Sequence, residues 1–537
     1  MRRVVLTLAV LSCFAAMQAQ GRIVIPDTLT AGQRRVDEVM KLIDGNYVEG
    51  PDMDKMSTAA INAMLKELDP HSMYIAAKDV ERANEGLQGN FEGVGISFQI
   101  VSDTIVVQSV IEGGPSEKVG LMVGDRLLRI DGEAATGDSV NNNFVFKRLR
   151  GKKGTTVVLD VLRQGEVYSF HIVRDKVPIY SIDTYFMADD HVGYIRLTRF
   201  ARTSVDEFRK AVRELKRQGM TAMVLDLRGN TGGYLDIACG LANEFLDRGQ
   251  LIVYQEGRRT PRQNFTADGR GSWRARRDAH GDVVEGNLVV LIDEGSASAA
   301  EIVSGAVQDW DRGTLVGRRS FGKGLVQRMF PLKDGGQVRL TTARYYTPSG
   351  RCIQRPYSEG TDAYRKDMAG RYRHGELVNA DSIHFNDSLR YQTAHGRTVY
   401  GGGGIMPDVF VPMDTMRLSD YFISLRGKGL LNTFPMQWAD AHRKDQRVKT
   451  YALFLENYDS FGLDSLLAAE SIEKGVVRDR EKESADPKRT DHSDRYLRLM
   501  LKAQVARYLF GIEYYYKVMK DADDGYLKAI GLLNGNR

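Results

Sequence analysis
The sequence predicts a multi-domain α/β protein with four regions in chain order: helical, β-rich, alternating strand and helix, and helical again. Three observations predict it. Residues 30–70 carry apolar positions at helical spacing, residues 90–175 break into short β-type runs between glycine-rich turns, and from about residue 176 apolar strands alternate with amphipathic helices. At 537 residues the chain exceeds what one hydrophobic core fills, so several units are expected. Hydrophobic residues at 42% and charged residues at 27% match soluble globular proteins, which excludes a mostly disordered chain or a membrane bundle. Lys plus Arg at 75 against Asp plus Glu at 70 leaves +5 with no long basic block, so no nucleic-acid partner is expected.

The first stretch, MRRVVLTLAVLSCFAAMQAQG, runs basic, apolar, then small, the order of a secretory signal over residues 1–19 with the mature chain starting near Gln20. Export to the periplasm or cell envelope follows. Cys13, in VLSC, stands in a loose lipoprotein-type cleavage site, and membrane contact is expected only if it is lipidated. Beyond it only Cys239 and Cys352 remain, which gives neither a disulfide framework nor zinc-type spacing, so no metal is expected.

Within residues 20–88, Val36, Val39, Met40, Ile43 and Tyr47, then Met56, Ala60, Met64, Leu65 and Leu68, mark two helices, and GNYVEGPDMD between them makes a helical hairpin. Residues 89–175 hold ISFQIV, TIVVQSVI, RLLRIDG, TTVVLDVL and YSFHIV, with one helix start at GGPSEKVGL. Residues 176–412 read VGYIRLT, SVDEFRKAVRELK, TAMVLDL, RGNTGGYLDIACGLANEFL, LIVYQ, NLVVLID, GSASAAEIVSGAVQDW and TLVG. These are expected as parallel βαβ units with both sheet faces covered, and Ser204 and Glu207 are spaced as a capping box. Residues 356–400, polar and rich in His, Arg and Tyr, read as an insertion or mobile loop. Residues 413–537 return to helix, and the apolar stripe of 496–519 is expected to pack on the body.

The stretch DEGSASAAEIVSG offers Ser296, Ser298 and Ser304 where a buried strand ends. Ser298 falls at the first turn of the next helix with Glu301 at the capping-box offset, so a capping role competes with a catalytic one. Free N–H groups at such a helix start can hold an oxyanion. A serine nucleophile needs a base. None of the nine histidines stands in a catalytic-looking context, and His71 in DPHS reads as a turn residue. Lys323 lies between Gly322 and Gly324 in SFGKGLVQ, just before a strand. To act as a base its pKa must fall from about 10.4 towards about 7–8, which requires desolvation. Phe321, Leu325 and Val326 can supply apolar surroundings, and Gln327 can orient the amine. In DLRGNTGG the N–H of Gly232 or Gly233, with that of Ala299, would form an oxyanion hole; the plainer reading is a βα turn with an Asp226–Arg228 salt bridge.

GVGISF, GGPSEKVGLMVGDRLLRIDG and the strand pair after them resemble a PDZ domain. That resemblance implies strand addition by an extended peptide, with its terminal carboxylate taken on the loop Gly93, Val94, Gly95 and Ile96. Taken with LDPHSMY, GNFEGVGI, DLRGNTGG, GSASAAEIVSGAVQD, FGKGLVQ, RYYTPSGRCIQ and IMPDV at 405–409, the chain resembles the carboxyl-terminal processing peptidases, exported serine proteases with a Ser–Lys dyad and an embedded PDZ domain. The resemblance spans most of residues 33–355. It implies a crotonase/Clp-like core, Ser298 as nucleophile, Lys323 as base and Gln327 in support, no metal or organic cofactor, and protein or peptide substrates with accessible C-termini. Ser296 then shapes the turn and Ser304 lies further along the helix. A role for Arg126 of VGDRLL, an adaptor or activator and a homo-oligomer stay open, as do the 356–400 insertion and the tail after 413. Two rival readings are a non-catalytic PDZ-containing peptide-binding scaffold and a relative of this fold that binds apolar ligands without proteolysis.

Overall fold
Thr30 opens the first helix by a reciprocal cap, its Oγ1 accepting from the Gln33 N–H while Gln33 Oε1 accepts from the Thr30 N–H. The computed structural model describes residues 28–101, 103–277 and 283–535; the expected signal segment with Cys13 and Gln20 lies outside them. Helices α1 (Ala31–Asn46) and α2 (Met53–Lys66) form where the spacing predicts, yet α1 buries no residue and α2 buries only Leu65. Helix α3 (Ala77–Gln88) follows the short strand Met73–Ile75.

The β-rich unit is an antiparallel sheet in the order β1 (Ile96–Val101), β2 (Thr104–Val110), β3 (Arg126–Ile130), β4 (Thr156–Arg163) and β5 (Glu166–Val173), with helix α4 (Asn142–Leu149) against it. Alternation does the folding here: Val157, Leu159 and Val161 of β4 face inward and meet Val145 and Leu149 of α4. Strand β1 is an edge strand.

The next unit is built on β6 (Ile182–Met187), β7 (Val192–Leu197), α5 (Ser204–Arg217), β8 (Ala222–Asp226), α6 (Leu235–Asn243), β9 (Leu251–Gly257), β10 (Asn287–Ile292), α7 (Ala299–Asp309), β11 (Thr314–Gly317), β12 (Leu325–Pro331), β13 (Gln337–Tyr346), α8 (Thr361–Arg373) and β14 (Val409–Phe410). Strands β7, β8, β10, β11 and β14 run parallel, and β6 adds antiparallel at one edge. Ile195, Leu225 and Val290 face α5, α6 and α7, while Tyr194, Val224 and Leu291 face the C-terminal helix, so both faces are covered.

Three expectations need correction. LIVYQ does not join the parallel sheet: as β9 it turns straight back into Thr260–Thr266 and pairs with β13, which also pairs with β12 and with Met73–Ile75 in a second, antiparallel sheet. The Ser204–Glu207 box does not form: Ser204 Oγ accepts from the Ala201 N–H at 2.8 Å, and Glu207 instead takes the N–H groups of Ser181 and Ile182 at the start of β6. Residues 356–400 are not a bare loop; buried Arg371 of α8 donates to the carbonyls of Arg319 and Ser320 and braces the segment that precedes Lys323.

The C-terminal helices include α9 (Asp420–Gly427), α10 (Leu430–His442), α11 (Pro487–Phe510), α12 (Ile512–Met519) and α13 (Asp524–Gly535). Their core, with Leu425, Leu431, Phe454 and Leu501, takes in Val106 of β2 and rests on Val101 and Val123. From there the chain runs along β6 as α12, and α13 closes the parallel sheet with Tyr526, Ala529 and Leu533. Among the described residues no helix is long and apolar enough to cross a membrane.

Candidate active site
Strand β10 ends at Ile292, and the turn that follows delivers Ser298 to the start of α7 with φ 56° and ψ −112°. A side chain in that region of backbone space is strained, and such strain persists where the surroundings fix it. Ser296 is buried and shapes the turn, donating to the Leu227 carbonyl at 2.8 Å and accepting from the Asp293 N–H at 3.0 Å. Ser304 donates to the Ala300 carbonyl inside the helix.

Glu301 does more than cap. Fully buried, it accepts from the N–H of Ser298 at 2.7 Å and of Lys323 at 2.9 Å on Oε2, and from Ser320 Oγ at 2.6 Å and the Gly322 N–H at 2.7 Å on Oε1. One carboxylate thus ties the serine turn to the lysine loop. Burial pushes its pKa up against the pull of those four donors. The Tyr345 hydroxyl adds a second tie, donating to the Lys323 carbonyl at 2.6 Å with the Ser298 carbonyl 3.1 Å away.

Ser298, Lys323 and Gln327 line one cavity of about 290 Å³ together with Gly232 and Gly233. Burial pushes the Lys323 amine below its ordinary range; the Glu301 carboxylate opposes this and the Arg339 guanidinium assists it. Leu325 and Val326 share the cavity, whereas Phe321 packs away from it against Tyr364. Among the described residues no hydrogen bond joins the Ser298 hydroxyl to the Lys323 amine, and Gln327 Nε2 donates to Thr341 Oγ1 at 3.2 Å rather than to Lys323. A bulge between Val326 and Gln327 aims that side chain.

The glycine loop lies hard against the serine turn: a Cβ on Gly232, whose φ is 99°, would fall 2.8 Å from the Ala297 carbonyl oxygen. Buried Asn230 holds the loop, giving Nδ2 to the Leu197 carbonyl and accepting the Gly232 N–H at 2.9 Å. Gly232 is therefore already engaged, while the N–H groups of Gly233 and Ala299 make no hydrogen bond among the described residues. At the loop's start Asp226 is fully buried; burial opposes its charge, but Arg228 and Arg196 outweigh it and hold the carboxyl well below the usual range. Arg228 reaches further, donating at 2.8 and 2.6 Å to the carboxylate of Asp523 just ahead of α13.

His71 does not line the cavity. Its Nε2 lies 2.9 Å from Tyr364 Oη, and burial, then the Lys323 charge, push its pKa down to about 4. In the β-rich unit Gly93 ends the strand Asn90–Gly93, Gly95 takes φ 83°, and the Val94 and Gly95 carbonyls bind Ser116 and Ile111 inward. Ile96 begins β1, and the Phe98 ring meets that of Phe146 of α4 edge to face with centroids 5.6 Å apart. Arg126 is not part of the serine's cavity; it borders Gln437, Asp440 and Lys444 of the helical unit. Nothing in the sequence marks Asn230, Tyr345 or Asp523, or the bridging by Glu301, as belonging to the site. Only the acid three residues after Ser298 gave a signal, and it pointed to a cap.

A strand–helix serine, a buried lysine and a glycine loop around one cavity define a peptidase-like α/β core, and the chain belongs to peptidase family S41, whose profile matches residues 191–361. A PDZ-domain profile matches residues 93–173, and a family of unknown function matches residues 421–511. The carboxy-terminal-processing protease of Bartonella bacilliformis is 35% identical over 327 residues, 60% of this chain and 72% of that protein. A probable CtpA-like serine protease of Staphylococcus aureus is 33% identical over 324 residues, 60% of this chain; the chain spans 63% of that relative's length. The solved photosystem II D1 C-terminal processing protease superposes with a TM-score of 0.36 at 26% identity, covering 72% of this chain and 95% of that one. The chain is thus a multi-domain α/β protein with a PDZ domain, an S41 core and a helical C-terminal region.

Proposed function
We propose that the chain is an exported serine endopeptidase that processes or degrades protein substrates near their C-termini. The observation that carries this reading is the cavity in which Ser298 and Lys323 meet on two loops tied by the buried Glu301 carboxylate. Lys323, depressed by burial, takes the Ser298 proton as the oxygen attacks a peptide carbonyl. The N–H groups of Gly233 and Ala299 hold the oxyanion. Lys323 then protonates the leaving amine, and water releases the acyl group. Gln327 orients Lys323 once the bulge lets it turn from Thr341. The unjoined Ser298 and Lys323 side chains describe a resting site, in keeping with catalytic hydrogen bonds that tighten only when substrate is bound.

In this reading the chain end adds beside edge strand β1, with its carboxylate at Gly93–Ile96. The division is signal 1–19, helical region 20–88, PDZ domain 89–175, crotonase/Clp-like core 176–412 with its insertion at 356–400, and helical region 413–537. The protein works in the periplasm or cell envelope, and touches a membrane only through a lipid on Cys13. No cofactor takes part.

The test is time-resolved cleavage of a poorly folded protein, with free or amidated C-terminus, by wild type, Ser298→Ala and Lys323→Ala, with intact masses of the fragments. Cutting by wild type alone supports the dyad, and slower cutting of the amidated substrate assigns carboxylate capture to the PDZ loop. Equal inertness of all three favours the peptide-binding scaffold. Cutting by Lys323→Ala at the wild-type rate removes lysine from the mechanism.

A further inference from the structure
Arg339 is on β13 and lines the same cavity as Ser298 and Lys323. Its Nη2 donates to the Ala83 carbonyl at 2.9 Å and to Asn84 Oδ1 at 3.0 Å on α3. Its Nε is buried without a partner, and Nη1 makes no hydrogen bond among the described residues. No carboxylate pairs with it there either, and burial pushes its pKa down. Other arginines of the core are supplied with an anion: Arg196 and Arg228 with Asp226, Arg351 with Asp309, Arg371 with Glu376.

A half-buried guanidinium without a counter-charge is costly, and a carboxylate can meet it by a charge-assisted hydrogen bond. The rest of the cavity lining contains no acidic residue; Lys323 is its other cation and the remainder is apolar or neutral. The pocket therefore lacks an anion of its own while holding a donor group placed to receive one. Asn84 and Ala83 hold that group through Nη2 and leave Nη1 as the donor not yet engaged, on a side chain that lines the cavity.

We propose that Arg339 is a carboxylate-recognition residue of the cleft, pairing with either an acidic side chain of the bound chain or its terminal carboxylate. The choice of a peptide as ligand rests on the peptidase reading above. It makes the cleft selective for where in the substrate a negative charge falls, independently of any capture by the β-rich unit.

The experiment measures fluorescence anisotropy of short Ala- and Val-rich labelled peptides on the full chain carrying Ser298→Ala, so that binding is read without turnover. One series carries Glu or Gln at each successive position with an amidated end; the other is neutral with a free or amidated end. One of the two series should bind about 10-fold tighter with its carboxylate than without, as one charge-assisted hydrogen bond warrants. That difference should vanish with Arg339→Gln and survive in part with Arg339→Lys. The series that responds identifies the source of the carboxylate. Equal binding of carboxylate and amide peptides overturns the proposal, and so does a preference that Arg339→Gln leaves intact, which would assign it to the PDZ loop. If wild type cuts nothing while the Arg339-dependent difference persists, the peptidase reading fails and the recognition role stands.

Discussion

Replacing Glu301 by Gln keeps its shape and removes half of what it does. Each carboxylate oxygen accepts two bonds, Ser298 and Lys323 on one, Ser320 and Gly322 on the other. An amide can place its NH₂ on either side, and on either side two donors lose their acceptor. If the NH₂ faces Ser320, that hydroxyl can turn to accept from it, but the Gly322 N–H is left buried and unpaired. At about 1.5–3 kcal/mol for each bond to a charged partner, the loss is about 3–6 kcal/mol. Relief of the desolvation that raises the Glu301 pKa offsets part of it, leaving an expected net loss of about 2–4 kcal/mol. The chemical effect should be of similar size, because the serine turn and the lysine loop lose a shared anchor, and a misplacement of about 1 Å costs about 100-fold in rate, or about 2.7 kcal/mol. Urea unfolding monitored by circular dichroism gives the first quantity, and kcat/KM on an unfolded substrate the second. Amide exchange at Gly322 and Lys323 should quicken while that of the β-rich unit stays as in wild type. A Glu301→Gln protein within about 0.5 kcal/mol of wild type, the range of neutral surface substitutions, with unchanged kcat/KM, would refute the idea that this carboxylate ties the two loops.

Three further outcomes are expected. Because burial lowers the Lys323 pKa, the neutral base gains population as pH rises, and kcat/KM on a neutral peptide should climb with a midpoint below 10.5; Arg339→Gln, which removes a neighbouring positive charge, should move that midpoint up. Asp523→Asn should cost about 1 kcal/mol, the scale of a partly exposed pair, and lower kcat several-fold with little change in KM, since it frees Arg228 without touching the cavity. The His71 pKa is about 4 when folded against 6.5 as the reference, so the unfolded chain binds the proton first; stability is whole above about 6.5 and falls as pH drops towards 4, a slope that urea titrations of His71→Gln should lack.

Periodicity carried much of the architecture. The inward alternation of Val157, Leu159 and Val161 and the helical spacing of Val36, Val39 and Ile43 are local properties, and the elements form where they point. What periodicity cannot say is which neighbour covers an apolar face. Hence α1 is a helix with that face uncovered, and LIVYQ is a strand in the other sheet. Ser298 and Lys323 were legible as motif residues, and the structure places both at one cavity. Long-range ties were not legible: nothing around Asp523 signals Arg228, 295 positions earlier, and nothing in Asn230 reveals that its carboxamide takes up the Gly232 N–H. The Ser204–Glu207 spacing shows the converse, a correct local pattern whose polar atoms found partners at Ala201, Ser181 and Ile182 instead.

Helix α11 is 24 residues long, which at 1.5 Å per residue spans about 36 Å. Near its far end Tyr508 meets Gln108 of the PDZ sheet, and beyond it α12 and the segment with Asp523 continue to the core. The helix therefore acts as a ruler with a phase. Removing one residue from its middle would shorten it by about 1.5 Å and rotate everything after the cut by about 100°, swinging Tyr508 off the sheet and Asp523 away from Arg228. Removing about seven residues would restore the facing but draw both Tyr508 and Asp523 about 10 Å back along the axis, out of reach of their partners. In this chain the phase of one helix thus sets together how the helical region meets the PDZ sheet and how Asp523 meets Arg228 at the glycine loop.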